Sequence, residues 1–130
     1  MAKNLIFIGK LNDRKMELES LRTAQALEIE NLKQKLDTAR TLSSEMSKKI
    51  SSLELVKEYD PEYVASEIAA MNQLRTTATE KTVSLQAQLR HKKAGQALLD
   101  DEYNIIKNSY DLANSESIQV ELLQTSIDEL

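Results

Sequence analysis

The chain has no cysteine, no tryptophan, one proline, one phenylalanine, one histidine and two glycines among its 130 residues. Without cysteine there are no disulfides and no thiolate metal sites. Two glycines (Gly9, Gly95) and one proline (Pro61) cannot punctuate the many turns of a sheet or a compact α/β domain. Few, long helices are what remains. Scarce aromatics argue against a thick globular core but are no obstacle to a thin helical seam. No stretch approaches the ~18 consecutive apolar residues of a membrane span. The early apolar run Leu5-Ile6-Phe7-Ile8 is too short for the core of a signal peptide. The expected location is therefore cytoplasmic, or inside a virus particle.

Charge is present but unevenly spread. The net charge is −4. Residues 1–58 hold eleven Lys/Arg and nine Asp/Glu, whereas residues 59–130 hold six and twelve. From Asp100 onward there are eight acids and one base, Lys107. The asymmetry marks either a partner-binding tail or two stretches of one chain lying side by side.

What the sequence does have is a heptad. Val64, Met71, Ala78, Leu85, Lys92, Leu99, Ile106, Ala113, Val120 and Ile127 stand seven apart, and only Lys92 is polar. A companion line, Ile68, Arg75, Thr82, Leu89, Gln96, Tyr103, Tyr110, Ser117 and Gln124, is far more polar. Upstream, Leu11, Leu18, Gln25, Leu32, Ala39, Met46 and Leu53 form a second apolar line. Its companion, Lys15, Arg22, Ile29, Leu36, Ser43, Ile50 and Lys57, is apolar only in its middle. Leu21, Leu42 and Val56 widen that stripe on one flank. Apolar residues repeating every 3.5 positions predict coiled-coil packing. The first helix is expected over about residues 11–57, about 70 Å at 1.5 Å per residue. Residues 1–10 stand apart as an apolar segment for docking or packing: a short strand, a docking peptide or a ragged helix start.

The sharpest local signal is Tyr59-Asp60-Pro61-Glu62-Tyr63-Val64. Asp60 suits an N-cap, because its carboxylate accepts the free N–H groups of the next turn. Pro61 then falls at the first helical position, where its missing N–H costs nothing. Glu62 lies where the helix dipole favours an anion, and Tyr59 could staple to Val64. The turn is thus expected at 58–61, and so short a link favours antiparallel neighbours. The heptad phase passes Gly95 without a slip, which favours an unbroken second helix. Asn114-Ser115-Glu116-Ser117 is a place where a short third C-terminal helix could begin.

A turn centred there sets residue i beside residue 119 − i. The polar seam residues Arg22 and Gln25 then meet Lys92 and Gln96 in one layer. Arg75 falls beside Glu45, and the basic start (Lys3, Lys10, Arg14, Lys15) beside the acidic stretch 100–116. The second helix outruns the first by up to about 18 residues, and its apolar positions Val120, Leu122, Leu123, Ile127 and Leu130 need cover.

Chemistry is hard to find. His91 lacks companion ligands, and there is no nucleophile–base constellation and no phosphate-cradling glycine loop. Asp100-Asp101-Glu102 lacks the alternating ligands and central glycine of a calcium loop. Basic clusters are limited to Lys48-Lys49 and Arg90–Lys93 under a negative net charge, so nucleic acid is not expected as a partner. No basic amphipathic face with bulky aromatics suggests a membrane surface. The sequence is therefore read as all-α, an elongated antiparallel helical hairpin, non-enzymatic, with no cofactor, no metal and no small-molecule substrate. In shape it resembles long-hairpin adaptors, stalks and chaperones of secretion machines and viral particles. The expected role is a structural or adaptor subunit that binds protein partners or itself. The alternative is a small helical chaperone or inhibitor that binds one partner transiently. The candidate partner-binding residues are Leu5, Ile6, Phe7, Ile8, Val120, Leu123 and Ile127.

Overall fold

The computed structural model describes the backbone of residues 2–130 and, within that range, all side chains except those of residues 2–4 and 116–121. The described residues are all-α: α1 (Ala2–Glu54) and α2 (Pro61–Asp128) are joined by a turn over 55–60. No strand occurs among them, and no helix is long and apolar enough to cross a membrane. The chain divides into two compact units, Leu27–Lys93 and a second made of Met1–Ala26 with Ala94–Leu130.

The unit Leu27–Lys93 is an antiparallel hairpin containing the turn. Its core is the expected pair of seams: Ile29, Leu36, Ala39, Ile50, Val64 and Ala78 are buried. Leu32, Met46, Leu53, Ile68, Met71, Leu85 and Leu89 are half-buried beside them. The capping expectation holds in detail. The Tyr63 backbone N–H donates to Asp60 Oδ1 at 3.2 Å, and the Val64 N–H to the Asp60 carbonyl at 3.0 Å. The staple does not form: Val64 is buried but Tyr59 is 89% exposed. The turn itself starts earlier than expected, because α1 stops at Glu54. It closes through the Val56 and Tyr59 N–H groups donating to the Leu53 and Val56 carbonyls. No residue there has positive φ, so the turn needs no glycine.

Threonines at 76, 77, 79 and 82 would ordinarily weaken a helix, since their hydroxyls compete for backbone groups. Here each donates to the carbonyl four residues back, at 2.9–3.1 Å, which keeps the competition inside the helix.

The second unit pairs the α1 segment up to Ala26 with the α2 segment from Ala94. Helix α1 begins at Ala2, not near residue 11, so Leu5 to Ile8 are helical rather than a strand or a detached segment. The reason is visible in the phase. Ile8 lies seven before Lys15, on the same line, and it is the one member of the Leu5–Ile8 run that is half-buried. Gly9 does not stop the helix, and space around its Cα is open. The earlier start also shortens the stretch of α2 without a facing partner. Gly95 is helical as expected, and so is the backbone of residues 114–128, where a third helix was sought.

Contacts across the helix pair give its register. In five of them the residue numbers add to 120–122: Glu19–Tyr103, Arg22–Asp100, Gln25–Gly95, Glu28–Lys92 and Ser47–Arg75. That is one to three residues beyond the expected 119. One expected pairing does not form. Arg75 donates to Ser47 Oγ at 3.3 Å and to Asn72 Oδ1 at 2.7 Å, and not to Glu45.

Candidate functional surface

An active site needs convergent polar groups in a concave, dry pocket. Within Leu27–Lys93 an open groove runs between the helices, lined by Asn31, Lys35, Leu42, Thr77, Lys81 and Gln88. Its polar lining also includes Glu80 and the hydroxyls of Thr38 and Ser84, and the groove is open to solvent along its length. Among the described residues no three His, Cys, Asp or Glu side chains are placed to hold a metal ion. His91 is exposed. The exposed surfaces differ between the units.

Among the described residues of the unit 1–26/94–130, Leu18 and Ala113 are the buried apolar ones. Leu11, Leu99 and Ile106 are half-buried beside them, and Lys15, Arg22, Gln25, Gln96, Tyr103 and Tyr110 share the seam with these apolar residues. The Arg22 guanidinium lies 4.1 Å from the centre of the Tyr103 ring. Its Nε donates to Asp100 at 2.7 Å. Tyr103 in turn donates its hydroxyl to Glu19 at 3.1 Å. The Lys15 ammonium is 5.1 Å from the Tyr110 ring centre. Arg14 donates from Nε and Nη2 to one oxygen of Glu102, at 2.9 and 2.7 Å, and pairs with Glu17 at 3.1 Å. Its hydrogen bonds to Glu102 and then to Glu17 raise the Arg14 pKa above its ordinary value. The basic start of α1 therefore meets the acidic stretch of α2, as the charge asymmetry implied. In the other unit, Lys92 reaches Glu28 at 2.6 Å.

The residues singled out in the sequence belong to this polar-seamed unit. Leu5 and Phe7 are 70% and 51% exposed, Ile6 is exposed and Ile8 half-buried. Leu123 and Ile127 are exposed, and so is every residue from 122 to 130. The Val120 side chain lies outside the described residues. Leu112 and Leu123, over which the N-terminal segment could have packed, remain exposed. Leu21, Leu42 and Val56, expected to widen the seam, are nearly half exposed.

One surface escaped the sequence reading. Leu98, Ile105 and Leu112 are 72%, 64% and 57% exposed and stand seven apart on α2. Each immediately precedes an inward residue: Leu99, Ile106 and Ala113. The doublets Leu-Leu, Ile-Ile and Leu-Ala were the available signal, because two neighbours about 100° apart on a helix cannot both enter one narrow seam. Comparison of the chain with protein-family models, with curated proteins and with solved structures finds no match.

Proposed function

We propose that this chain is a non-enzymatic structural or adaptor subunit that joins a larger assembly, such as a secretion machine or a viral particle, through its helical faces. One observation carries the reading. The unit 1–26/94–130 leaves Leu5, Ile6, Phe7, Leu122, Leu123 and Ile127 exposed. Leu5–Phe7 and Leu122–Leu123 each set neighbouring large apolar side chains in water, and such contiguous patches mark interaction sites more often than scattered residues do. The partner is a protein surface or a second copy of the chain.

Affinity purification of native complexes with mass spectrometry tests this, alongside light scattering for the oligomeric state. A partner recovered in fixed stoichiometry is the expected result. Recovery only during assembly, with the chain absent from the finished complex, would point instead to a transient chaperone. A chain that stays monomeric at every concentration and recovers no partner contradicts both.

A further inference from the structure

We infer that the outer strip Leu98–Ile105–Leu112 of α2 is a docking surface for a basic amphipathic helix of another protein. The inference rests on the adaptor reading and gives it a second surface and a partner chemistry. The three residues repeat every seven positions, so they keep nearly one azimuth and form a strip about 21 Å long on the helix. Such a strip matches a second helix with the same apolar period. The residues three and four positions away flank it. They are Ala94, Gly95, Asp101, Glu102, Asn108, Ser109, Ser115 and Glu116, with no base among them; of the acids, Glu102 already holds Arg14, whereas Asp101 is exposed. Ala94, small and exposed, lets a helix approach closely at the start of the strip.

Charge decides the occupant. The unit that carries the strip holds six bases and eleven acids, a net charge of −5. A second copy laid on the strip would bring an equal negative charge to it. A helix with Lys or Arg beside its apolar stripe meets Asp101, which is exposed one turn from both Leu98 and Ile105. The same stretch of α2 already accepts such a helix on its other side: Arg14 reaches Glu102 and Arg22 reaches Asp100, both at 2.7 Å. The docked helix repeats, on the outer face, the basic-on-acidic pairing that α1 makes on the inner one.

The test uses the full chain and two labelled synthetic peptides of equal length with leucines at coiled-coil spacing, one flanked by lysines and one by glutamates. Fluorescence anisotropy should show the lysine peptide binding at least tenfold more tightly than the glutamate peptide, and more weakly as salt is raised. The triple variant Leu98→Ser/Ile105→Ser/Leu112→Ser should lose at least tenfold in affinity while its far-UV circular dichroism is unchanged. Asp101→Lys, which leaves the apolar strip in place, should weaken the lysine peptide alone. Equal binding of both peptides, undiminished binding by the triple variant, or no binding of the lysine peptide overturns the inference. So does a dimer in sedimentation that the triple variant abolishes, since the strip would then be a self-association face. A failed peptide titration beside a stoichiometric native complex removes the strip and leaves the adaptor reading standing.

Discussion

Arg22 stacks its guanidinium 4.1 Å from the Tyr103 ring centre, in a seam where coiled coils usually place two apolar side chains. The contact replaces hydrophobic burial with a cation–π interaction, worth about 0.5–1 kcal/mol when exposed and about 2 kcal/mol when desolvated. At 35% exposure the Arg22 side chain sits between these limits. Arg22→Ala should cost about 1–2 kcal/mol in chemical denaturation, and Tyr103→Phe less than 1 kcal/mol because the ring stays. Equal losses from the two variants would show that the hydroxyl bond to Glu19, and not the ring, holds the contact.

Among the described residues Leu18 is the one side chain that is fully enclosed, at 0% exposure. Leu18→Ala should destabilise by about 2–5 kcal/mol, the range for emptying a packed leucine site. Leu98→Ala on the outer strip should change stability by no more than about 0.5 kcal/mol. The same substitution thus separates core from docking surface in a pair of thermal melts. A large loss at Leu98 would mean that the strip is structural.

Lys92 interrupts an otherwise apolar line and reaches Glu28 at 2.6 Å. A polar residue in a seam lowers stability while specifying register. Lys92→Leu should therefore raise the melting temperature. A drop would show that the ion pair outweighs the burial a leucine gains there.

The two glycines make a matched pair. A methyl group at Gly9 meets nothing within 4 Å, whereas one at Gly95 comes within 3.3 Å of Gln25 Nε2. Replacing a mid-helix glycine with alanine gains about 0.8–1.0 kcal/mol of helix propensity. Gly9→Ala should increase helicity at the start of α1, read by amide hydrogen exchange. Gly95→Ala should gain less, because the Gln25 amide must yield. A larger gain at position 95 would mean that the seam there is loose.

Much of this molecule is legible in its sequence because heptad spacing is a long, redundant signal. Leu18, Ile29, Leu36, Ile50, Val64 and Ala113 all fall on the lines that spacing defines, and all are buried. The Asp60-Pro61 cap was legible because few residue pairs fit the start of a helix so well. The failures have local causes. Gly9 suggested a stop, but an isolated glycine costs a helix only about 1 kcal/mol, too little to end one whose phase continues through Ile8. The turn begins at Leu55, and Arg75 is held by Ser47 and by Asn72 on its own helix in place of Glu45. Tyr59 sits on a turn that points it into water, so it staples nothing. The outer strip was hidden because a single seam was assigned to each helix, and each outer residue stood next to an inner one.

The central claim is that the exposed apolar side chains of the unit 1–26/94–130 bind a protein partner and do not hold the fold together. The most direct measurement compares native complexes captured by the full chain with those captured by Leu5→Ser/Phe7→Ser/Leu123→Ser/Ile127→Ser, with circular dichroism and thermal melting of both. The account predicts a stoichiometric partner with the parent chain, its loss in the variant, and unchanged helicity and melting. A variant that keeps the partner, or that loses its helix content and stability, contradicts it.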